Sequence, residues 1–226
     1  GSLPNDLLFE HLGVSTYVNI ESPDYIEADG GQKFSQRHGT NERRQTIYCN
    51  AEEINQHLPQ DSIELIFSVA CFEHIYGLPA ALESCHILNS KGGSLYSYFA
   101  PIYSNFREGD HGAIPSHKNF TEKPRGLHLL STIDQRKALI DAGIKNPNEI
   151  EKFLGSVNFN RIPNRLRYED YERICTESPY FVAELSRQEN LNLSKHYPAQ
   201  FKKIRQSNPV VGNMMAIGFR LHLIKI

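Results

Sequence analysis

His74 and His111 are the side chains best suited to move a proton near neutral pH, where imidazole titrates. His111 lies in a loop running Tyr103-Ser104-Asn105-Phe106-Arg107-Glu108-Gly109-Asp110-His111-Gly112. In that loop Asp110 could orient an imidazole, while Tyr103 and Arg107 could hold a polar or anionic group. The same composition also suits a solvated surface loop, so a substrate lid and a plain loop both stand. His74, in Cys71-Phe72-Glu73-His74-Ile75, is either a base or orienting group, or an imidazole bonded to backbone. Glu21 ends a short β-forming run, and its two oxygens could accept from both hydroxyls of a ribose diol. A surface carboxylate beside a turn is the alternative. Asn50 carries both a donor and an acceptor and could read an adenine edge, but its spacing also fits a helix N-cap.

These residues matter because of the elements that carry them. Residues 7–12 read as the last turns of a helix stopped at Gly13. Residues 16–20 and 46–49 are rich in β-formers and read as brief strands. Residues 29–44 form a polar loop, and 51–58 a short helix. The run 63–70, IELIFSVA, is almost continuously apolar, which predicts a parallel strand buried on both faces. A helix over 78–88, a Lys91-Gly92-Gly93 turn and a strand over 94–100 complete a βαβ unit. Further helices are predicted over 132–142 and 199–205, and strands over 181–185 and 214–226. The result is one α/β domain, residues 1–226, with a mixed sheet. Within it, 156–210 is a polar stretch that could form a cap, a homodimer contact or a solvated insert. In open sheets of this kind ligands sit beyond the carboxyl ends of the strands. Glu21, Asn50, His74 and the Tyr103–Gly112 loop all fall there.

Composition narrows the function classes. The 226 residues carry 24 basic and 26 acidic side chains, a net charge of −2, which argues against a general nucleic-acid binder. No stretch approaches the length of a membrane span, and the opening residues do not read as a signal peptide. Four widely spaced cysteines without a CxxC pair predict reduced thiols and a cytoplasmic setting. Neither an HxxxH pair nor a carboxylate cluster suggests a metal.

The segment Asp61–Pro101 resembles class I S-adenosylmethionine-dependent methyltransferases of the type 11-like, small-molecule and sugar-modifying kind. The matching residues, in order, are Ser68, Glu73-His74 and Ile87-Leu88-Asn89-Ser90-Lys91-Gly92-Gly93, with Ser90 where the family has proline. The stretch Ala100–Ser131 is similar to a bacterial branch with histidines in this loop. The resemblance implies a Rossmann-like, doubly wound sheet with an antiparallel last strand, and S-adenosylmethionine as cofactor. It implies that Glu21 holds the cofactor ribose and that Asn50, with Ala51, stands near adenine in place of the usual Asp. It places Ser68 and Val69 beside the methionine moiety. The family's first strand and glycine-rich turn are absent. Gly1-Ser2 is expected to be the tail of that turn, which puts the strand itself before Gly1. The implied reaction moves a methyl group to a small polar acceptor, a hydroxyl of a sugar or other metabolite, with His111 as base and His74 second. A cofactor-less binding module on the same fold is the alternative. A nicotinamide or nucleotide-sugar enzyme ranks last, for want of GxGxxG or Tyr-x-x-x-Lys.

Overall fold

A computed structural model describes residues 3–23, 41–107, 109, 120, 124–159, 164–190, 192–207 and 213–226. Two sheets form among these residues. Strands β1 (Tyr17–Glu21) and β2 (Arg44–Tyr48) pair in parallel. Strands β3 (Ile63–Val69), β4 (Asn89–Phe99), β5 (Phe181–Glu189) and β6 (Ala216–Ile224) make a second sheet in the order β3-β4-β6-β5. The β3–β4 pair is parallel, and β6 runs antiparallel to both β4 and β5, as expected of the last strand.

Between β3 and β4 lies α1 (Leu78–Leu88), which buries Leu78, Ala81, Leu82, Cys85 and Leu88. The first four of these recur at i, i+3, i+4 and i+7, the spacing that gathers side chains on one face of a helix. They join Leu95 and Phe99 of β4 in the same enclosed core. Each such large apolar side chain contributes on the order of 1.5–3 kcal/mol by leaving water. Helix α2 (Thr132–Asp141) is capped by Ser131, whose hydroxyl accepts from the Asp134 N–H at 3.3 Å. Two helices that the sequence reading does not predict follow, α3 (Pro147–Phe159) and α4 (Tyr168–Glu177). Tyr171 of α4 packs its ring 5.0 Å from Phe99 and 5.4 Å from Phe219, closing the main core from the β6 side. A short turn, α5 (Leu193–His196), leads to α6 (Pro198–Ser207). A second apolar cluster gathers Phe106, Leu127, Leu139, Ile144, Val157 and Ile204.

Strand β3 departs from the expectation of burial on both faces. Leu65 and Val69 are 60% and 51% exposed, and Phe67 shares their face. The physical reason is that this face of the sheet is left uncovered among the described residues, since Tyr98 of β4 and Phe181 of β5 are exposed on it as well. β4 also begins earlier than expected, at Asn89, because the chain passes through Lys91-Gly92-Gly93 with a register shift opposite Ile63 and Leu65. All four cysteines are free thiols. Among the described residues, no helix is long and apolar enough to cross a membrane.

Candidate functional site

Strands β1 and β2 run parallel in one sheet, and β3 and β4 run parallel in the other. In open α/β sheets ligands bind beyond the carboxyl ends of the strands. The carboxyl ends of β1 and β3 are near enough for the Glu21 carboxylate to act on the Cys71 thiol. Loss of solvation raises the Cys71 thiol first, the Glu73 carboxylate adds to this, and the Glu21 carboxylate of β1 contributes as well.

On the β1 side, Tyr17, Asn19 and Glu21 share one face of the strand. The Asn19 amide, itself buried, donates to Glu21 Oε1 at 3.2 Å. This bond fixes how the carboxylate is presented at the end of β1. Sequence reasoning misses Asn19, although the i, i+2, i+4 alternation of polar residues is its signature. On β2, Asn50 occupies the N-cap position of the 3₁₀ turn Ala51–Gln56 in extended backbone, yet its side chain does not cap it. The amide is exposed beyond the end of β2, and the turn is held instead by the backbone bond from Glu53 N to Asn50 O. Ala51 is half-buried and packs against the core. Glu52 accepts from Gly77 N at 3.0 Å, joining this turn to the start of α1.

On β3, Ser68 and Val69 point to opposite faces. Ser68 Oγ is enclosed without a hydrogen bond of ordinary length, close enough to the Cys71 thiol to favour its thiolate. Ser97, its neighbour in register on β4, also has an enclosed hydroxyl without a partner. Paired hydroxyls of this kind beneath the strand ends are a polar wall that a bound group could satisfy. In the Phe72–His74 turn the two members of Glu73-His74 separate. His74 is exposed, whereas Glu73 is 1% exposed. Burial pushes the Glu73 carboxyl up to about 7, against the lowering effect of backbone N–H groups of Glu73 and Ala100.

Beyond β4, Tyr103 is engaged reciprocally with His128. Its hydroxyl donates to the His128 carbonyl at 2.7 Å, and His128 Nε2 lies 2.8 Å from the Tyr103 carbonyl. Burial raises the Tyr103 phenol, with Arg165 and Arg167 acting in the opposite sense. Gly109 sits where a Cβ would come within 2.5 Å of the Tyr103 carbonyl and 2.7 Å of His128 Nε2. Only glycine allows that approach. Asn105, buried, binds the Ala216 carbonyl at 3.0 Å and receives Arg107 N at 3.1 Å, which ties the loop to β6. Gly1, Ser2, Asp110 and His111 lie outside the described residues. The structure thus brings Glu21 within electrostatic reach of Cys71 in the loop after β3, and it holds Tyr103 and Arg107 in the folded loop after β4.

These residues fit S-adenosylmethionine as a ligand in type: an oriented carboxylate for a diol, an exposed amide, and enclosed hydroxyls under the strand ends. Among the described residues, no cluster of three His, Cys, Asp or Glu side chains could hold a metal ion. No family model matches the chain, and no curated protein matches it. Solved structures do. An S-adenosylmethionine-dependent methyltransferase from Mesorhizobium loti superposes with a TM-score of 0.50 at 12% identity, over 95% of this chain and 82% of that one. A second, from Listeria monocytogenes, gives a TM-score of 0.51 at 10% identity, over 96% and 83%. The chain has the Rossmann-like fold of the S-adenosylmethionine-dependent methyltransferases.

Proposed function

We propose that this chain is an S-adenosylmethionine-dependent methyltransferase acting on a small polar acceptor, a hydroxyl of a sugar or other metabolite. The observation that carries the reading is the nearness of Glu21, oriented by Asn19 at the end of β1, to Cys71 in the loop after β3. The likeness of the fold to methyltransferase structures supports it. When bound, the cofactor supplies an electrophilic methyl group on a sulfonium with a neutral thioether as leaving group. The chain's own work is positioning and proton handling. Glu21 accepts from the ribose hydroxyls, and Asn50 offers its amide to the adenine edge. Ala51 and Val69 give apolar contact, and Ser68 offers its hydroxyl to the methionine end. Tyr103 and Arg107, with Asp110, hold the acceptor within attacking distance. A histidine takes the hydroxyl proton as the acceptor oxygen bonds to carbon, His111 first and His74 second.

Removing the base separates chemistry from binding. His111→Ala is expected to lower turnover by about 100-fold or more while cofactor affinity stays within about twofold. Unchanged turnover in that variant, with cofactor still bound, would remove His111 from the mechanism and leave His74 to be tested in the same way.

A further inference from the structure

The most heavily buried acid among the described residues is Glu73, and the roles assigned so far do not use it. The residue is 1% exposed, and Oε2 has no partner. Backbone N–H groups of Glu73 and of Ala100, the residue after β4, lie near enough to the carboxyl to lower its titration. The carboxyl therefore spans the loop after β3 and the end of β4. That loop is gripped from the other side by Asn164. The Asn164 N–H donates to the Glu73 carbonyl at 2.7 Å. Its side-chain Nδ2 donates to the carbonyls of Phe72 at 2.9 Å and Ile75 at 2.8 Å. Asn164 Oδ1 in turn accepts from Tyr171 Oη of α4 at 2.8 Å.

We propose that Glu73 is a positioning residue that acts in its protonated form, clasping the Cys71–Ile75 loop so that His74 is presented beyond the end of β3. Its role in methyl transfer rests on the function proposed above, whereas the clasp itself does not. The neutral carboxyl loses less than the ionised one in this dry surrounding, which is compatible with leaving Oε2 unpartnered. An ionised carboxylate at the same place would hold a full charge with no cation acting on it among the described residues. Burial alone lifts its titration to about 7. The titratable groups that feel it are the Cys71 thiol on its own loop and the Tyr171 phenol on α4. Both are raised by loss of solvation and stay neutral through this range, so neither supplies a compensating charge.

The sign follows. An acid whose folded titration lies above its unfolded value penalises the closed loop as pH rises between the two, and the penalty is complete above the folded value. The test uses the whole chain and its Glu73→Gln variant, which keeps the shape and the donors but removes the titration. Amide hydrogen-exchange protection of Cys71–Ile75, corrected for intrinsic rates, is read at pH about 6 and about 8, alongside affinity for S-adenosylhomocysteine. Wild type is expected to lose protection about tenfold or more across that interval, and Glu73→Gln to keep it at both. Protection that is flat in wild type, or equally pH-dependent in the Gln variant, would overturn the clasp. An affinity that falls with pH in wild type alone extends the clasp to the site. Absence of any binding at either pH, with the protection difference intact, contradicts the function proposed above and leaves the clasp standing.

Discussion

Asn164→Ala lowers the unfolding free energy by about 3 kcal/mol, measured as a shift of the urea midpoint at constant slope. Asn164 is 8% exposed, and its side chain bonds Phe72, Ile75 and Tyr171. Truncation strands the carbonyl of Ile75 and the hydroxyl of Tyr171, and leaves the Phe72 carbonyl only the long bond from Ile75 N at 3.4 Å. Each stranded polar group costs about 1–3 kcal/mol, offset in part by entering water. Leu166 N, which bonds Asn164 Oδ1 at 3.1 Å, adds to the loss. Asn164→Asp is also destabilising, because it replaces the donor that serves two carbonyls with a charge. A variant as stable as wild type would mean that the loop after β3 is held by other contacts.

The second large effect concerns Glu21. Glu21→Ala is expected to weaken S-adenosylmethionine or S-adenosylhomocysteine binding about 100-fold, since two charge-assisted hydrogen bonds to the ribose diol are lost together. Glu21→Gln keeps one acceptor oxygen and is expected to lose only about tenfold. The carboxylate is half-buried, and losing its bond to Asn19 costs about 1 kcal/mol, so the melting temperature should fall by only about 2–4 °C. Equal affinity in wild type and Glu21→Ala would remove this residue from the cofactor site. Isothermal titration of the three proteins side by side reads the ranking.

Much of the architecture was legible because its signals are local. The β3–α1–β4 unit could be read from the apolar run at 63–70 and the helical spacing of Leu78, Ala81, Leu82, Cys85 and Leu88. The last strand followed from the alternation over 214–226, and its antiparallel direction from the family resemblance. The missed helices were legible too. Ile150, Phe153, Leu154 and Val157 recur at helical spacing after Pro147, and Tyr171, Ile174 and Cys175 do so in α4. In α4 the surrounding Tyr, Arg and Glu residues obscured the stripe.

The contacts that set the site's chemistry were not legible, because they join distant parts of the chain. Nothing near Asn164 in sequence announces that it serves the carbonyls of Phe72 and Ile75. Likewise, Glu73-His74 is visible as a pair, but which member is buried depends on how the turn after β3 meets α4. The sequence singled out His74 for chemistry and gave Glu73 no role, and the structure encloses the glutamate while leaving His74 exposed. Asn50 shows the converse. Its spacing favoured a cap, and the backbone took the capping bond while the side chain stayed out of it.

The central claim is that S-adenosylmethionine binds beyond the carboxyl ends of β1 and β3. Calorimetric titration of the 226-residue chain with S-adenosylhomocysteine at pH about 6.5 tests it most directly, since the product binds without turnover. The account predicts saturable binding at one site per chain with a Kd of about 1–100 μM, weakened by Glu21→Ala. No saturable binding up to about 1 mM ligand by folded protein would contradict it.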